Sequence, residues 1–261
     1  MTSSYFHRIW DARYFWIYLA LSDLRARWRG SFLGVFWSIL HPLGMTLLLS
    51  FVLGRFFHAE VRTYAPYILS GFVTWEFIVS CCTNGAMSFI QSAVYIHQVR
   101  YPLAIYTMRT VLTALIIMTL ASLTLYGWVL WAMPQNFGWC WLSLLLFYPL
   151  LLLTAWPVAT IFAHIGVRFR DLPYALGLLL QAVWFASPVY FEAQMFRKSG
   201  MGFLVDINPL YHFLQLIRAP LLEGTWPTMT NYFFALGTMG ILFLIAVVIT
   251  KKSERGVVFY L

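Results

Sequence analysis

"RARWRGSFLGVFWSILHPLGMTLLLSFVLG" occupies residues 25–54 and determines the solvent in which this chain folds. Its last part, Ser31–Gly54, contains no Asp, Glu, Lys or Arg. About 20 mostly apolar residues are enough for a helix to cross the hydrocarbon core of a membrane. The three arginines directly before the run, Arg25, Arg27 and Arg29, are expected to remain on the cytoplasmic side. The stretch therefore predicts a first span whose N-terminal end faces the cytoplasm.

The rest of the chain continues this pattern. Of its 261 residues, 61% are hydrophobic and only 10% are charged, whereas soluble domains carry about 25% charged residues. Five further apolar stretches are long enough to span: Tyr64–Ile90, Thr110–Met133, Trp139–Ala163, Leu172–Phe191 and Met229–Thr250. The sequence predicts an all-α polytopic membrane protein with six transmembrane helices.

The distribution of positive charge predicts the orientation. Six spans place both termini on one side, and that side holds twelve of the seventeen Lys and Arg residues. Short cytoplasmic loops are the ones enriched in Lys and Arg. Both termini are therefore expected in the cytoplasm, in a chain that keeps its N-terminus because residues 1–29 lack the uninterrupted apolar core of a signal peptide.

Residues 1–30 form a predicted segment of their own, before a six-span domain over residues 31–261. One helical stripe there is apolar: Trp10, Tyr14, Ile17, Leu21, Leu24 and Trp28. Such a stripe favours an amphipathic helix that lies in the membrane interface, and a helix packed on a soluble partner is the alternative. Phe15 and Leu19 do not fit the stripe.

Several short segments connect the spans. Residues 93–109 and the loop 164–171 lie on the predicted cytoplasmic side. Residues 192–228, on the outer side, have apolar pieces that are too short to cross and are interrupted by Asp206, Pro209, Arg218 and Pro220. Broken helices of this kind are tolerated at membrane depth where protein buries them or where they line a wet cavity, which predicts re-entrant outer helices.

Several classes of function are disfavoured by what the sequence lacks. There is no GxxxxGK[ST] phosphate loop, no HExxH and no GxSxG, so this chain is not expected to bind ATP by that device or to be an enzyme of those kinds. Cys81, Cys82 and Cys140 are expected to be buried apolar residues, and neither a metal site nor a bound cofactor is expected. The net charge of +8 comes without a basic block, so no nucleic-acid partner is expected.

Two sets of side chains inside the spans are candidates for function. Glu76 is an ionisable group in a span, which is a functional hypothesis by default. Either it makes a polar contact within the bundle or it touches a transported substrate. Aromatic residues in spans one and five exceed what an interfacial belt requires: Phe32, Phe36, Trp37, Trp184, Phe185, Tyr190 and Phe191. They are predicted to line a wet pore, where flat rings can contact the apolar faces of sugars, and helix packing is the alternative.

The sequence resembles the polysaccharide-export permeases of the ABC-2 type. "DLRARWRGSFLGVFWSILHPLGMTLLLSFVLG" (23–54) resembles the entry to their first span, and "VYIHQVRYPLAIYTMR" (94–109) resembles their coupling segment. "GVRFRDLPYALG" (166–177) is similar to their second cytoplasmic loop, and "INPLYHFLQLIRAPLLEG" (207–224) to their re-entrant outer gate. The resemblance covers nearly the whole chain in the same order.

This resemblance implies a homodimer in the bacterial inner membrane that binds two copies of a separate ATPase subunit, which holds ATP and Mg²⁺. The cargo would be a glycan, such as O-antigen, on an undecaprenyl pyrophosphate carrier. Contacts with the ATPase would fall on these residues: His97, Arg100, Tyr101, Arg168, Arg170 and Asp171. Arg25, Arg27 and Arg29 would bind the pyrophosphate, since guanidinium groups bind phosphate well.

The helical repeat divides these three arginines. Arg25 and Arg29 share one face of a helix, and Arg27 points about 100° or more away from each, so we expect Arg25 and Arg29 to act as a pair.

Two other classes of function stay open at this point. One is an ABC-2 exporter for drugs or lipids, and the other is a membrane-embedded transferase that acts on a lipid-linked sugar.

Overall fold

The computed structural model describes residues 2–57, 60–99, 101–189 and 191–261, and within those ranges it contains helices and no strand. The helices are α1 Thr2–Asp11, α2 Arg13–Trp28, α3 Trp37–Phe57, α4 Val61–Gln91, α5 Ala93–Gln98, α6 Ala104–Ala132, α7 Leu144–Gly166, α8 Leu172–Phe185, α9 Ala193–Lys198, α10 Gly202–Asp206, α11 Pro209–Arg218 and α12 Met229–Val257. Short 3₁₀ turns precede α3 and α7, and a π-helical turn, Ala219–Glu223, follows α11. The all-α polytopic class is confirmed.

Five of these helical stretches are long and apolar enough to cross a membrane: Gly34–Phe56, Val61–Gln91, Ala104–Ala132, Trp139–Gly166 and Met229–Ser253. The fifth predicted span is shorter than expected. Its helix, α8, stops at Phe185 after 14 residues, which is about 21 Å of the roughly 30 Å core. The reason lies in the sequence Ser187-Pro188, because proline disfavours helical geometry at the residue before it.

The central element of the bundle is α4, which is 31 residues long. It packs against α3, α6, α7 and α8, and most of its length is buried, whereas α12 at the periphery is largely open. Glycines allow the close contact between α4 and α7. A Cβ on Gly85 would lie 2.8 Å from the Cα of Ala159, and one on Gly166 would overlap the backbone of Ala86.

One end of the bundle gathers both termini. Ile9 of the N-terminal segment and Val257 near the C-terminus belong to one apolar cluster with Ile96 of α5 and Val167 of the loop after α7. The N-terminal segment, both predicted cytoplasmic connections and the C-terminus therefore share one end of the molecule. This arrangement agrees with the prediction that both termini lie on the same side.

The re-entrant segment lies at the opposite end. Phe213, Leu216 and Ile217 of α11 enter the core formed by α4, α6 and α7, although α11 has only 10 residues. Asn136, in the turn between α6 and α7, donates a hydrogen bond of 2.6 Å to the carbonyl of Leu222. The segment is thus inserted in the bundle without crossing it.

The N-terminal helix α2 has two apolar faces, which explains the residues that did not fit its predicted stripe. Leu19 is buried and Phe15 packs against the apolar cluster at this end of the bundle. Trp10 and Tyr14 are exposed, at 63% and 73%, and Leu21 is also exposed. One face of the N-terminal segment therefore contacts the protein, and the predicted stripe is exposed at Trp10, Tyr14 and Leu21 but buried at Leu24.

Candidate functional site: a polar groove along the central helix

The open face of α4 is polar. Between Tyr64 and Ile90, only Glu76 and Asn84 are exposed. Ser80 lies between them and accepts a 2.9 Å hydrogen bond from the Asn84 amide. Residues four apart lie on one face of a helix, so these three side chains form a continuous stripe. A helix surrounded by apolar neighbours that is open only at polar side chains faces water or a polar partner rather than lipid.

A first cleft flanks this stripe on the side of α3. Its volume is about 400 Å³, and its walls come from the end of α2, the start of α3, α4 and α6. Its polar lining includes Arg27, Ser38, His41, Glu76 and Ser80. With Ser31 as a third serine, the cleft brings a cation, an imidazole, three hydroxyls and a carboxylate to one space with apolar walls.

A second cleft, of about 280 Å³, flanks the stripe on the side of α8. Gln181 supplies its amide, and Trp75, Trp184 and Phe185 supply its aromatic walls. Trp184 packs edge-on against Trp75, with ring centroids 5.2 Å apart. Glu76 lines both clefts. We use the name polar groove for the stripe Glu76–Ser80–Asn84 together with these two clefts.

Glu76 lies in the middle of α4, with 15 residues on either side within Val61–Gln91. Each half is about 22 Å long, so the carboxylate lies midway along a helix that is long and apolar enough to cross a membrane. Within the described ranges Glu76 makes no hydrogen bond and no ion pair, and His41 and Arg27 are close enough to act on it electrostatically. The structure thus provides no hydrogen-bonded structural role for this side chain.

Of the three arginines before the first span, Arg27 lines the first cleft. Arg25 and Arg29 are exposed and are not among the lining residues of either cleft. The sequence predicted that Arg27 points away from Arg25 and Arg29. In the structure Arg27 is the one of the three that lines the groove. Beside it, the buried indole N–H of Trp28 has no hydrogen-bond acceptor among the described residues, although Trp28 also lines the cleft.

The predicted pore aromatics separate into three sets. Trp37 lines the first cleft, and Trp184 and Phe185 line the second. Phe32 and Phe36 are exposed without lining either cleft. Phe191 instead packs in the apolar cluster around Tyr64 and Trp75. The remaining one, Tyr190, lies outside the described residues.

The predicted ATPase-contact residues lie at the end of the bundle that holds both termini. His97 and Tyr101 are exposed, and the Tyr101 ring stacks on Phe15 of α2 with centroids 5.1 Å apart. Arg100 lies outside the described residues.

The second predicted contact is on the same end. Arg168, Arg170 and Asp171 are exposed in the connection between α7 and α8. The Arg168 guanidinium lies 5.3 Å from the ring centroid of Tyr260. The two connections therefore present an open surface with charged and aromatic side chains.

Sequence reasoning missed the role of Arg218, which is buried where α4, α8 and α11 meet. Its Nε donates to the Ser70 hydroxyl at 3.1 Å, and its Nη1 donates to the Pro188 carbonyl at 2.7 Å. Nη2 donates to the carbonyls of Tyr67 and Val189. The guanidinium also lies 3.7 Å from the centroid of the Tyr67 ring. Arg218 thus satisfies backbone carbonyls that are released where α8 ends early.

A charge within the apolar run "LQLIRAPLL" was the available signal for Arg218, and the spacing of four between Glu76, Ser80 and Asn84 was the signal for the groove. The re-entrant segment holds a simpler pair, in which Arg197 donates to Asp206 at 2.8 Å. That hydrogen bond raises the pKa of Arg197 above its ordinary value. Both side chains are exposed.

In the described part of the chain, no three His, Cys, Asp or Glu side chains lie close enough together to hold a metal ion. Cys81, Cys82 and Cys140 are all buried as free thiols, as the sequence predicted.

Fold and site together define a polytopic membrane protein with a polar groove along its central helix. A comparison with known families matches residues 14–222 to the ABC-2 type transporter family. The chain belongs to this family, whose members are membrane subunits of transporters.

Individual relatives agree with that assignment at modest identity. The chain is 23% identical over 205 residues to the O-antigen export system permease protein RfbA of Klebsiella pneumoniae, with 78% of each chain covered. It is 24% identical over 244 residues to the RfbA protein of Myxococcus xanthus, with 92% of each covered. It is 25% identical over 211 residues to the polysialic acid transport protein KpsM of Escherichia coli, with 79% of this chain and 80% of that protein covered.

Proposed function

We propose that this chain is the membrane subunit of an ATP-driven exporter that moves a polysaccharide out of the cytoplasm. The polar groove supports this proposal, because it provides hydroxyl, amide and carboxylate groups beside the aromatic rings of Trp37 and Trp184. Polar groups that hydrogen-bond to hydroxyls, combined with flat apolar rings, suit the two kinds of surface that a sugar presents. The names of the relatives, O-antigen export permease and polysialic acid transport protein, point to the same class of cargo.

The energy source is proposed to be a separate subunit. The sequence has no GxxxxGK[ST] loop, so two ATPase subunits, which bind ATP and Mg²⁺, would dock on the end of the bundle that carries both termini. The exposed residues His97, Tyr101, Arg168 and Arg170 are the proposed contacts there, together with Asp171 at the start of α8. Movements of the ATPase would reach α4 and α8 directly, since α5 follows α4 and the second connection precedes α8.

Two copies of the chain are proposed to enclose the conduit. In one copy the groove is open along α4, and a polar surface at this depth is unfavourable against lipid. A second copy facing the first would close it from lipid and leave a wet passage. The assembly would lie in the bacterial inner membrane with both termini in the cytoplasm, in agreement with the distribution of Lys and Arg.

The carrier of the cargo is proposed to be undecaprenyl pyrophosphate. Arg27 lies at the mouth of the first cleft, where a guanidinium fork can hold a diphosphate by paired hydrogen bonds. Arg25 and Arg29 would contribute positive potential at the same interface. The glycan would then extend from this mouth into the groove.

A complementation experiment tests the proposal. A bacterial strain that lacks this chain should lose surface polysaccharide and accumulate lipid-linked glycan inside, and the intact chain should restore export. Restoration should fail when the partner ATPase carries an inactivated phosphate loop. Unchanged surface glycan together with lost efflux of small drugs would favour the exporter of drugs or lipids. Turnover of a lipid-linked sugar by the purified chain, without ATP or a second subunit, would favour the transferase.

A further inference from the structure

The position of Glu76 needs an explanation that packing does not supply. It is one of two exposed residues in the central part of α4 and lies 15 residues from each end of that helix. A carboxylate at the centre of a membrane is costly, and such groups face a wet cavity or pair with another group. No hydrogen bond or ion pair holds Glu76 within the described ranges, and both clefts open on it. Its oxygens are available to whatever occupies the groove.

The surroundings of Glu76 fit a neutral, hydroxyl-rich ligand. Gln181 stands across the second cleft, and Ser80 and Asn84 continue the polar stripe towards the end of the bundle that holds both termini. Trp37 and Trp184 add aromatic surface on either side of the carboxylate. Ionised carboxylates accept short, charge-assisted hydrogen bonds from hydroxyl groups, and two oxygens can accept from two neighbouring hydroxyls.

The same carboxylate disfavours anionic cargo. Charges in a confined space of low dielectric interact much more strongly than in water, and rings of acidic side chains select against anions in channels. His41 and Arg27 act on Glu76, but neither forms an ion pair with it that would neutralise its charge. The Glu76 carboxylate therefore repels a cargo with one negative charge per repeat, whereas it can accept hydrogen bonds from the hydroxyl groups of a neutral glycan.

We propose that Glu76 is the cargo-contacting residue of a subsite for uncharged sugar residues at the middle of the membrane, formed with Gln181 and the rings of Trp37 and Trp184, and that it selects neutral glycans over polyanionic ones. This inference rests on the proposed function for the identity of the cargo. Two parts of it do not depend on the identity of the cargo: that water enters the groove, and that the Glu76 carboxylate makes the potential there more negative. Two experiments separate these parts.

The first experiment measures the potential in the groove with thiol reagents. Asn84→Cys places a thiol eight residues from Glu76, about 12 Å along the helix, while Cys81, Cys82 and Cys140 are buried. A cationic reagent, methanethiosulfonate ethyltrimethylammonium, should modify this thiol faster than the anionic ethylsulfonate analogue. Adding Glu76→Gln should lower the ratio of the two rates by about tenfold, given the strength of one unit charge at this distance. An unchanged ratio, or a thiol that neither reagent reaches, would overturn the proposal.

The second experiment measures export of two cargoes by the complete transporter with its ATPase: a neutral glycan and one with a carboxylate in each repeat. Glu76→Ala should reduce neutral export by about tenfold at an unchanged membrane level, and Glu76→Gln should reduce it less while admitting more anionic glycan. Glu60→Gln is the matched control, since Glu60 is exposed just before α4 and lines neither cleft. Wild-type export of both cargoes by the Glu76 variants would overturn the subsite. Absence of export by the unmodified transporter would instead refute the proposed function, and the thiol experiment would still test the groove.

Discussion

Arg109 holds Asp23 through two hydrogen bonds, from Nε and Nη2 to the two carboxylate oxygens. The pair joins α2 of the N-terminal segment to α6 of the bundle, and Nη1 of Arg109 reaches the Ser92 hydroxyl at 3.3 Å. The side chain of Arg109 is 15% exposed and that of Asp23 is 34% exposed. The N-terminal helix α2 is therefore fixed to the bundle by a partly buried ion pair. This pair lies close to the start of α5, which is the first part of residues 93–109.

Replacing Asp23 with Asn should destabilise the protein. The change leaves the partly buried guanidinium of Arg109 with weaker acceptors, and hydrogen bonds to charged groups contribute about 1.5–3 kcal/mol. Thermal unfolding of the detergent-purified protein measures the effect. Asp11→Asn is the control, because the Asp11 carboxylate is exposed and pairs with exposed His7, so this change should alter stability by less than about 0.5 kcal/mol. Equal losses in the two variants would contradict the structural role of the pair.

Arg218→Met should be severely destabilising. It removes the guanidinium donors to the Ser70 hydroxyl and to the carbonyls of Pro188 and Val189, and the Pro188 carbonyl keeps only a longer hydrogen bond of 3.4 Å from the Tyr67 hydroxyl. Leaving a buried acceptor unsatisfied costs about 1–3 kcal/mol for each group. The measurements are membrane level and thermal unfolding.

Arg197→Met is the matched control in the same re-entrant segment. Its salt bridge with Asp206 is exposed, and surface pairs contribute about 0–1 kcal/mol. A stable Arg218→Met protein would show that the contact between α8 and α11 is held by other groups.

Gly71→Ala, in α4, should disrupt the site where Arg218 binds the carbonyls that follow α8. A Cβ there would overlap the carbonyl of Val189 and lie 2.7 Å from Nη2 of Arg218. Gly127→Ala in α6 meets no atom within 4 Å and should be neutral or slightly stabilising, since alanine favours helix by up to about 1 kcal/mol over glycine. Protein level and unfolding temperature of the two variants should therefore move in different directions, and parallel behaviour would refute the close contact.

Topology can be measured by labelling single introduced cysteines in whole cells. Gln135 and Gly200 are exposed on the predicted outer side and should react with a membrane-impermeant maleimide. Lys252, exposed near the C-terminus, should react only after the cells are permeabilised. Reaction at position 252 in intact cells would contradict the orientation inferred from charge.

Export should depend on Arg27 more than on its neighbours. Lysine keeps the charge that orients the helix but does not provide the planar, multi-donor guanidinium that grips a diphosphate. Arg27→Lys should therefore insert normally and export several times more slowly, with lipid-linked glycan accumulating inside. The double variant Arg25→Lys, Arg29→Lys is the comparison, because both residues lie outside the clefts. A larger export defect in the double variant would assign diphosphate binding to that pair.

The sequence predicts the spans well because lipid imposes a simple length rule, and four of the five long spans begin within a few residues of their predicted starts. It does not predict the early end of α8. Pro188 marks a possible break, but the break is stable only because Arg218, 30 residues later, and the hydroxyl of Tyr67 bind the carbonyls that follow. Contacts of this kind depend on tertiary packing, which a local pattern does not contain.

The groove, too, was only partly predictable from the sequence. Glu76 was recognisable as an unusual residue, and the repeat Glu76–Ser80–Asn84 was visible as one helical face. What the sequence could not supply was the direction of that face. The choice of Arg27 over Arg25 and Arg29 depends in the same way on how α2 is rotated against α6, which is set by packing.

The shortness of α8 has a consequence for the surrounding lipid. A helix of about 21 Å is roughly 9 Å shorter than an average hydrocarbon core, and bilayers adjust to such a mismatch by thinning at a cost of fractions of a kcal/mol for each Å. Tyr174, Leu178 and Leu179 of α8 are exposed, and wherever this helix borders lipid the acyl chains would have to compress or splay. There the two headgroup layers would lie closer together than in the surrounding membrane.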